Sequence, residues 1–122
     1  MRKVISFAFA LAFSLTVVAF ASHLGEESTL AAPASAKKMA AMHNDAGIKA
    51  YETKDYAESE AHFRMAVKID PNFAEAHYNL GLALHGQKNH NAAAVEFKLA
   101  KKLAPNNKAL VDSKILEHHL NM

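Results

Sequence analysis

The chain contains no cysteine and no tryptophan, and only four glycines and three prolines in 122 residues. The missing cysteine excludes disulfides, thiol redox chemistry, a covalent c-type haem site, a thiolate zinc site and a lipid-modified cysteine. Small exported domains commonly use disulfides to compensate for a small core, so this one must be held by helix packing. No glycine-rich loop able to cradle phosphate is present, because Gly47 and Gly81 stand isolated. No nucleophile accompanies a partnered base. Basic and aromatic residues are not interleaved as a nucleic-acid groove requires.

Apolar residues are abundant but unevenly spread. Val4 to Ala21 is almost wholly apolar, with Arg2 and Lys3 before it and Ala19-Phe20-Ala21 closing it. A basic start, an apolar core and small residues at alternate positions are the three parts of a secretory signal, with cleavage expected after Ala21. The alternative is an uncleaved anchor, since the stretch approaches the roughly 20 residues of a membrane span. Either outcome exports everything after Ala21, to a bacterial periplasm or beyond, or leaves it anchored to the inner membrane and facing the periplasm. Of fourteen Lys+Arg, Arg2 and Lys3 leave with the signal, so twelve remain against twelve Asp+Glu. A neutral mature chain removes the electrostatic case for nucleic acid. Residues 22–39 mix Gly, Ser, Glu, Ala and Pro33 without apolar period, as a flexible linker would.

From Ala40 onward the chain repeats itself at 34 residues. Ala40 pairs with Ala74, His43 with His77, Gly47 with Gly81, Lys54 with Lys88, Phe63 with Phe97, Ala66 with Ala100, Pro71 with Pro105 and Asn72 with Asn106. Glycine in a helix interior costs about 1 kcal/mol against alanine, so its use twice in one column suggests close helix–helix approach. Phe63 and Phe97 stand three residues before Ala66 and Ala100, an aromatic knob beside a small residue on one helical face. Pro71 and Pro105 mark helix ends. The pattern predicts helices near Ala34–Thr53, Asp55–Ile69, Phe73–Gln87, His90–Leu103 and Asn107–Asn121.

This period, with Leu80-Gly81, Ala93, Phe97, Ala100 and Pro105 in the second unit, resembles the tetratricopeptide repeat (TPR). The first unit carries Gly47, Phe63, Ala66 and Pro71, with Ala46 where Leu is usual and Ser59 where Ala is usual. His43 and His77 stand where the family usually has Trp, and Ala50 and Leu84 where it has Tyr. The resemblance implies an all-α solenoid with repeats at 40–73 and 74–107 and a C-terminal capping helix at 108–122.

It also implies a concave groove lined by the first helices. Its walls would be Asn44, Asp45, Ile48 and Tyr51, then Tyr78, Asn79, Leu82 and His85, then Asp112, Ser113, Leu116 and His119. Ile48, Leu82 and Leu116 share one column, with Leu82 expected to face the groove and not to pack between helices. The cations that clamp a partner's terminal carboxylate in some family members are absent, with Ala109 and Ser113 in their places. No paired carboxylates at helical spacing line the groove. His85 and His119 share a column, but two histidines without a matched carboxylate fall short of a zinc site. The expectation is a non-catalytic protein- or peptide-binding module without metal or cofactor, touching membrane only through its N-terminal segment. The alternative is a membrane-tethered scaffold that self-assembles, because the acidic first half and basic second half could stack protomers into a homo-oligomer.

Overall fold

The computed structural model describes residues 27–121; the expected signal or anchor at 1–21 lies outside them. Among the described residues the regular structure is helical: α1 Lys38–Glu52, α2 Tyr56–Ile69, α3 Ala74–Gly86, α4 His90–Leu103, α5 Lys108–Val111 and α6 Lys114–Leu120. Helices α1 and α2 form one antiparallel pair and α3 and α4 the next; α2 packs on α3, and α6 closes on α4.

The glycine column explains the pairing. A Cβ on Gly47 would stand 2.6 Å from Phe63 Cε1, and one on Gly81 2.5 Å from Phe97 Cε1. Each phenylalanine presses one edge of its ring against the glycine of the facing helix, and both rings are fully buried. Ser59, where repeat 2 has Ala93, donates its hydroxyl to the Gly47 carbonyl at 2.9 Å. That bond satisfies a buried polar group, so the departure from alanine costs little.

The two helical hairpins also turn in the same way. Lys54 and Lys88 have left-handed backbone, with φ of 62° and 67°. After α1, Asp55 N–H bonds Ala50 O and Lys54 N–H bonds Tyr51 O; after α3, Asn89 bonds Leu84 and Lys88 bonds His85. This is the Schellman closure of a helix C-terminus. Asp55 and Asn89 then cap the following helices through Glu58 N–H and Ala92 N–H.

Two elements differ from the expected map. The last helix is broken at Asp112–Ser113 into α5 and α6, because Ser113 adopts extended backbone and caps α6 by accepting from Leu116 N–H. Residues 27–37, within the expected linker, precede α1 without regular secondary structure, yet they are seated on the repeats. Leu30 packs against the main apolar cluster, which contains Tyr78, Leu82, Phe97 and Leu116. Ala32 and Ala36 pack against a second cluster of Ala40, Ala66, Phe73 and Ala76. No helix among the described residues is long and apolar enough to cross a membrane.

Candidate peptide groove and histidine cluster

The first helices, α1 and α3, bring Asn44 and Asn79 together on the concave face. Both carboxamides are fully buried, and a buried amide needs its hydrogen bonds. Asn79 Nδ2 donates to Asn44 Oδ1 at 2.9 Å. The remaining partners come from the chain's own Leu30. Its N–H donates to Asn79 Oδ1 at 2.7 Å, and its carbonyl accepts from Asn79 Nδ2 at 2.7 Å and from Asn44 Nδ2 at 3.1 Å. Asn79 thus grips both main-chain groups of one residue, as a neighbouring β-strand would.

Three residues earlier, Glu27 binds the other end of the groove. One carboxylate oxygen accepts from Tyr78 Oη at 3.3 Å and the other from Ile115 N–H at 3.0 Å, in the first turn of α6. Tyr78 Oη also pairs with Ser113 Oγ at 2.9 Å. Burial pushes the Tyr78 phenol well above its usual range, and the Glu27 carboxylate adds to this, so Tyr78 stays neutral as a donor.

The other expected wall residues are placed unequally. Ile48 and Tyr51 are half-buried, and the Tyr51 ring packs on Tyr56 at 5.3 Å. Leu82 and Leu116 are fully buried members of the main cluster, not open groove surface. Leu30 and Ile48 pack against the same cluster from partly buried positions. Asp45 and Asp112 are exposed. The carboxylate and main-chain contacts of Glu27 and Leu30 carry no periodic signal in the sequence; only the acidic and apolar residues within 22–39 hint at them.

At the far end of the groove, His85 (last turn of α3), His90 (first residue of α4) and His119 (α6) converge. His85 Nδ1 lies 3.3 Å from His119 Nε2 and 3.2 Å from His90 Nδ1, and all three nitrogens fall within 4.8 Å of one another. His119 Nδ1 donates to Ile115 O at 2.9 Å. Sequence columns identify His85 and His119 as neighbours. His90 joins them only because the Schellman turn folds α4 back across α3, five residues after His85. Burial lowers the His85 pKa, and the nearby His119, His90, Lys88 and His118 lower it further.

In the packing layer behind the groove, His77 donates from Nδ1 to Glu96 at 2.7 Å and from Nε2 to Pro71 O at 2.8 Å. Both acceptors require a proton, so the arrangement suits an imidazolium. Burial opposes that charge, but the bonds to Glu96 and Pro71 and the charges of Glu96 and Asp70 outweigh it, and the pKa is raised. The His77 ring is 6% exposed and ion-paired.

A comparison with curated proteins found no match. Family models do match. Residues 49–88 fit the one described as TPR repeat, and residues 74–107 the one described as Tetratricopeptide repeat. Such repeats are protein–protein interaction modules in general, and generally not catalysts. Six helices in packed adjacent pairs, the glycine–phenylalanine locks and these matches identify the fold as a tetratricopeptide-repeat α-solenoid.

Proposed function

We propose that the concave face binds extended segments of partner proteins by their main chain, and that residues 27–30 occupy the site until a partner replaces them. One observation carries this reading: the buried Asn44–Asn79 pair finds its outer hydrogen-bond partners in the backbone of Leu30. A main-chain grip tolerates many sequences. Selectivity comes from the flanks, where Glu27 meets Tyr78 and the Ile115 N–H, and Leu30 meets apolar surface. The preferred partner segment is therefore an acidic residue followed three positions later by a leucine-like one. The N-terminal pattern of Arg2, Lys3 and the apolar run supports an exported protein acting in the cell envelope.

The test uses the full chain with residues 27–32 scrambled, and a fluorescent peptide carrying the native Gly25–Ala32 sequence. Saturable binding is expected, with loss on Asn79→Ala and weakening when the peptide's residue corresponding to Glu27 becomes lysine. A peptide that fails to bind the scrambled chain, or binds Asn79→Ala equally well, sinks the reading.

A further inference from the structure

We propose that His85, His90 and His119 form a binding site for one divalent transition-metal ion, with zinc as the reference cation. Two of the three ligand separations match what a tetrahedral ion demands, and rotation of the exposed His90 ring would bring in the third. Zinc–imidazole bonds of about 2.0–2.1 Å separate adjacent ligand nitrogens by about 3.3–3.4 Å. The two near pairs in the cluster stand at 3.3 and 3.2 Å.

Proton counting points the same way. His119 Nδ1 spends its hydrogen on the Ile115 carbonyl, which leaves Nε2 with a bare lone pair aimed at His85. Orientation of a ligand imidazole by a carbonyl on its other nitrogen is the usual outer support of a metal site. A proton on His85 Nδ1 can serve His119, but the same proton would then have to serve His90 as well. Without it, His85 can accept from a His90 Nδ1–H but then faces the bare Nε2 of His119, so no neutral tautomer places its own hydrogen in both contacts. A cation at the centre accepts a lone pair from all three rings at once. Neutral imidazole is the ligand form.

The three ligands differ in burial. His119 is 2% exposed, His85 half-buried and His90 exposed. The buried ligand therefore lies inside, and the exposed one stands between the site and solvent. The ligand set contains no carboxylate or thiolate, which suits zinc, copper or nickel better than magnesium or calcium. A fourth position is left for water. Bound metal would tie α6 to α3 and α4. Because Ile115 bonds both His119, through its carbonyl, and Glu27, through its N–H, the ion would stiffen the turn that holds the groove occupant.

Equilibrium dialysis of the purified full chain against zinc, followed by metal analysis, tests the site. One zinc per chain is expected, with cobalt giving an intense tetrahedral visible spectrum. His85→Gln, His90→Gln and His119→Gln should each weaken binding by about tenfold or more, while His118→Gln should leave it unchanged. His119→Gln replaces a buried ring and could unfold the last helix, so exposed His90→Gln decides, with circular dichroism verifying its fold. No retained zinc in the wild-type chain, or equal retention in His90→Gln, overturns the proposal.

Discussion

Repeat 1 places His43 and His62 in the columns where repeat 2 places His77 and Glu96. The first pair meets nitrogen to nitrogen at 3.4 Å, the second as an ion pair at 2.7 Å. The helices around them differ as much. In α1, only Ala40, Asn44, Gly47 and Ala50 are buried; in α3, ten of thirteen residues are. Both helices carry the same glycine, the same turn and the same phenylalanine lock. What separates them is position: α3 has neighbours on both sides and α6 nearby, whereas α1 ends the stack and leaves Met39 and Met42 more than half exposed. A solenoid's local folding code is thus shared between units, while stability is concentrated in the unit that has neighbours.

The largest test of this comparison is the aromatic lock. Phe97→Ala should cost about 3–5 kcal/mol, enough to leave a small domain marginal. Phe97 also meets the rings of Tyr78 and His119 at 5.6 and 5.2 Å, so its loss should exceed that of Phe63→Ala by about 1 kcal/mol. Urea denaturation of both variants measures the difference. Equal losses would show that the flanking neighbours of repeat 2 add nothing.

The polar column comes next. A raised His77 pKa means that the folded state binds a proton more tightly than the unfolded one. Its stabilisation is complete below the ordinary value of 6.5 and is lost as pH rises through the raised folded value. Glu96→Gln should therefore cost about 1.5–3 kcal/mol at the acidic end, and less as the pH climbs. His85, with its lowered pKa, acts in the opposite sense, so each variant is compared with the wild type at the same pH. A pH-independent gap for Glu96→Gln would mean that His77 is neutral in the fold.

The smallest effect concerns the two turns. Lysine in left-handed backbone costs about 1–2 kcal/mol, part of which glycine returns as greater freedom of the unfolded chain. Lys54→Gly and Lys88→Gly should each stabilise by about 0.5–1 kcal/mol, a rise of a few degrees in Tm. Here the repeats should agree. A gain at one turn alone would indicate that the lysine side chain at the other contributes contacts of its own.

These particulars also mark what a single sequence discloses. The 34-residue identities were sufficient for the hairpins, because each pairs a local signal with its copy: Gly47 with Gly81, Phe63 with Phe97, Lys54 with Lys88. Asn44 and Asn79 were legible as wall residues through the family resemblance and not through a repeated identity, since Asn44 shares its column with Tyr78 and Asn79 with Asp45. The burial of Leu82 was not legible, since it depends on tertiary packing within the main apolar cluster. The break before Ser113 has no copy elsewhere in the chain to reveal it. His90 lies outside the column shared by His85 and His119, and only the turn geometry brings it across. The docking of Leu30 is the least legible, because a bond to main chain leaves no pattern in side chains.

That docking sets a threshold. A segment joined to its own receptor never diffuses away, so the groove is open only for the fraction of time the segment is lifted. An incoming peptide sees its Kd divided by that fraction: if the groove is open about one part in a hundred, the apparent Kd rises about a hundredfold. If partners bind there as proposed, weak, passing matches would be filtered out, and only a partner that outcompetes a permanently tethered rival would stay bound. The same replacement releases residues 27–36 from the repeats. Capture of a partner at the groove would therefore also lengthen the reach between the solenoid and whatever holds its N-terminal end.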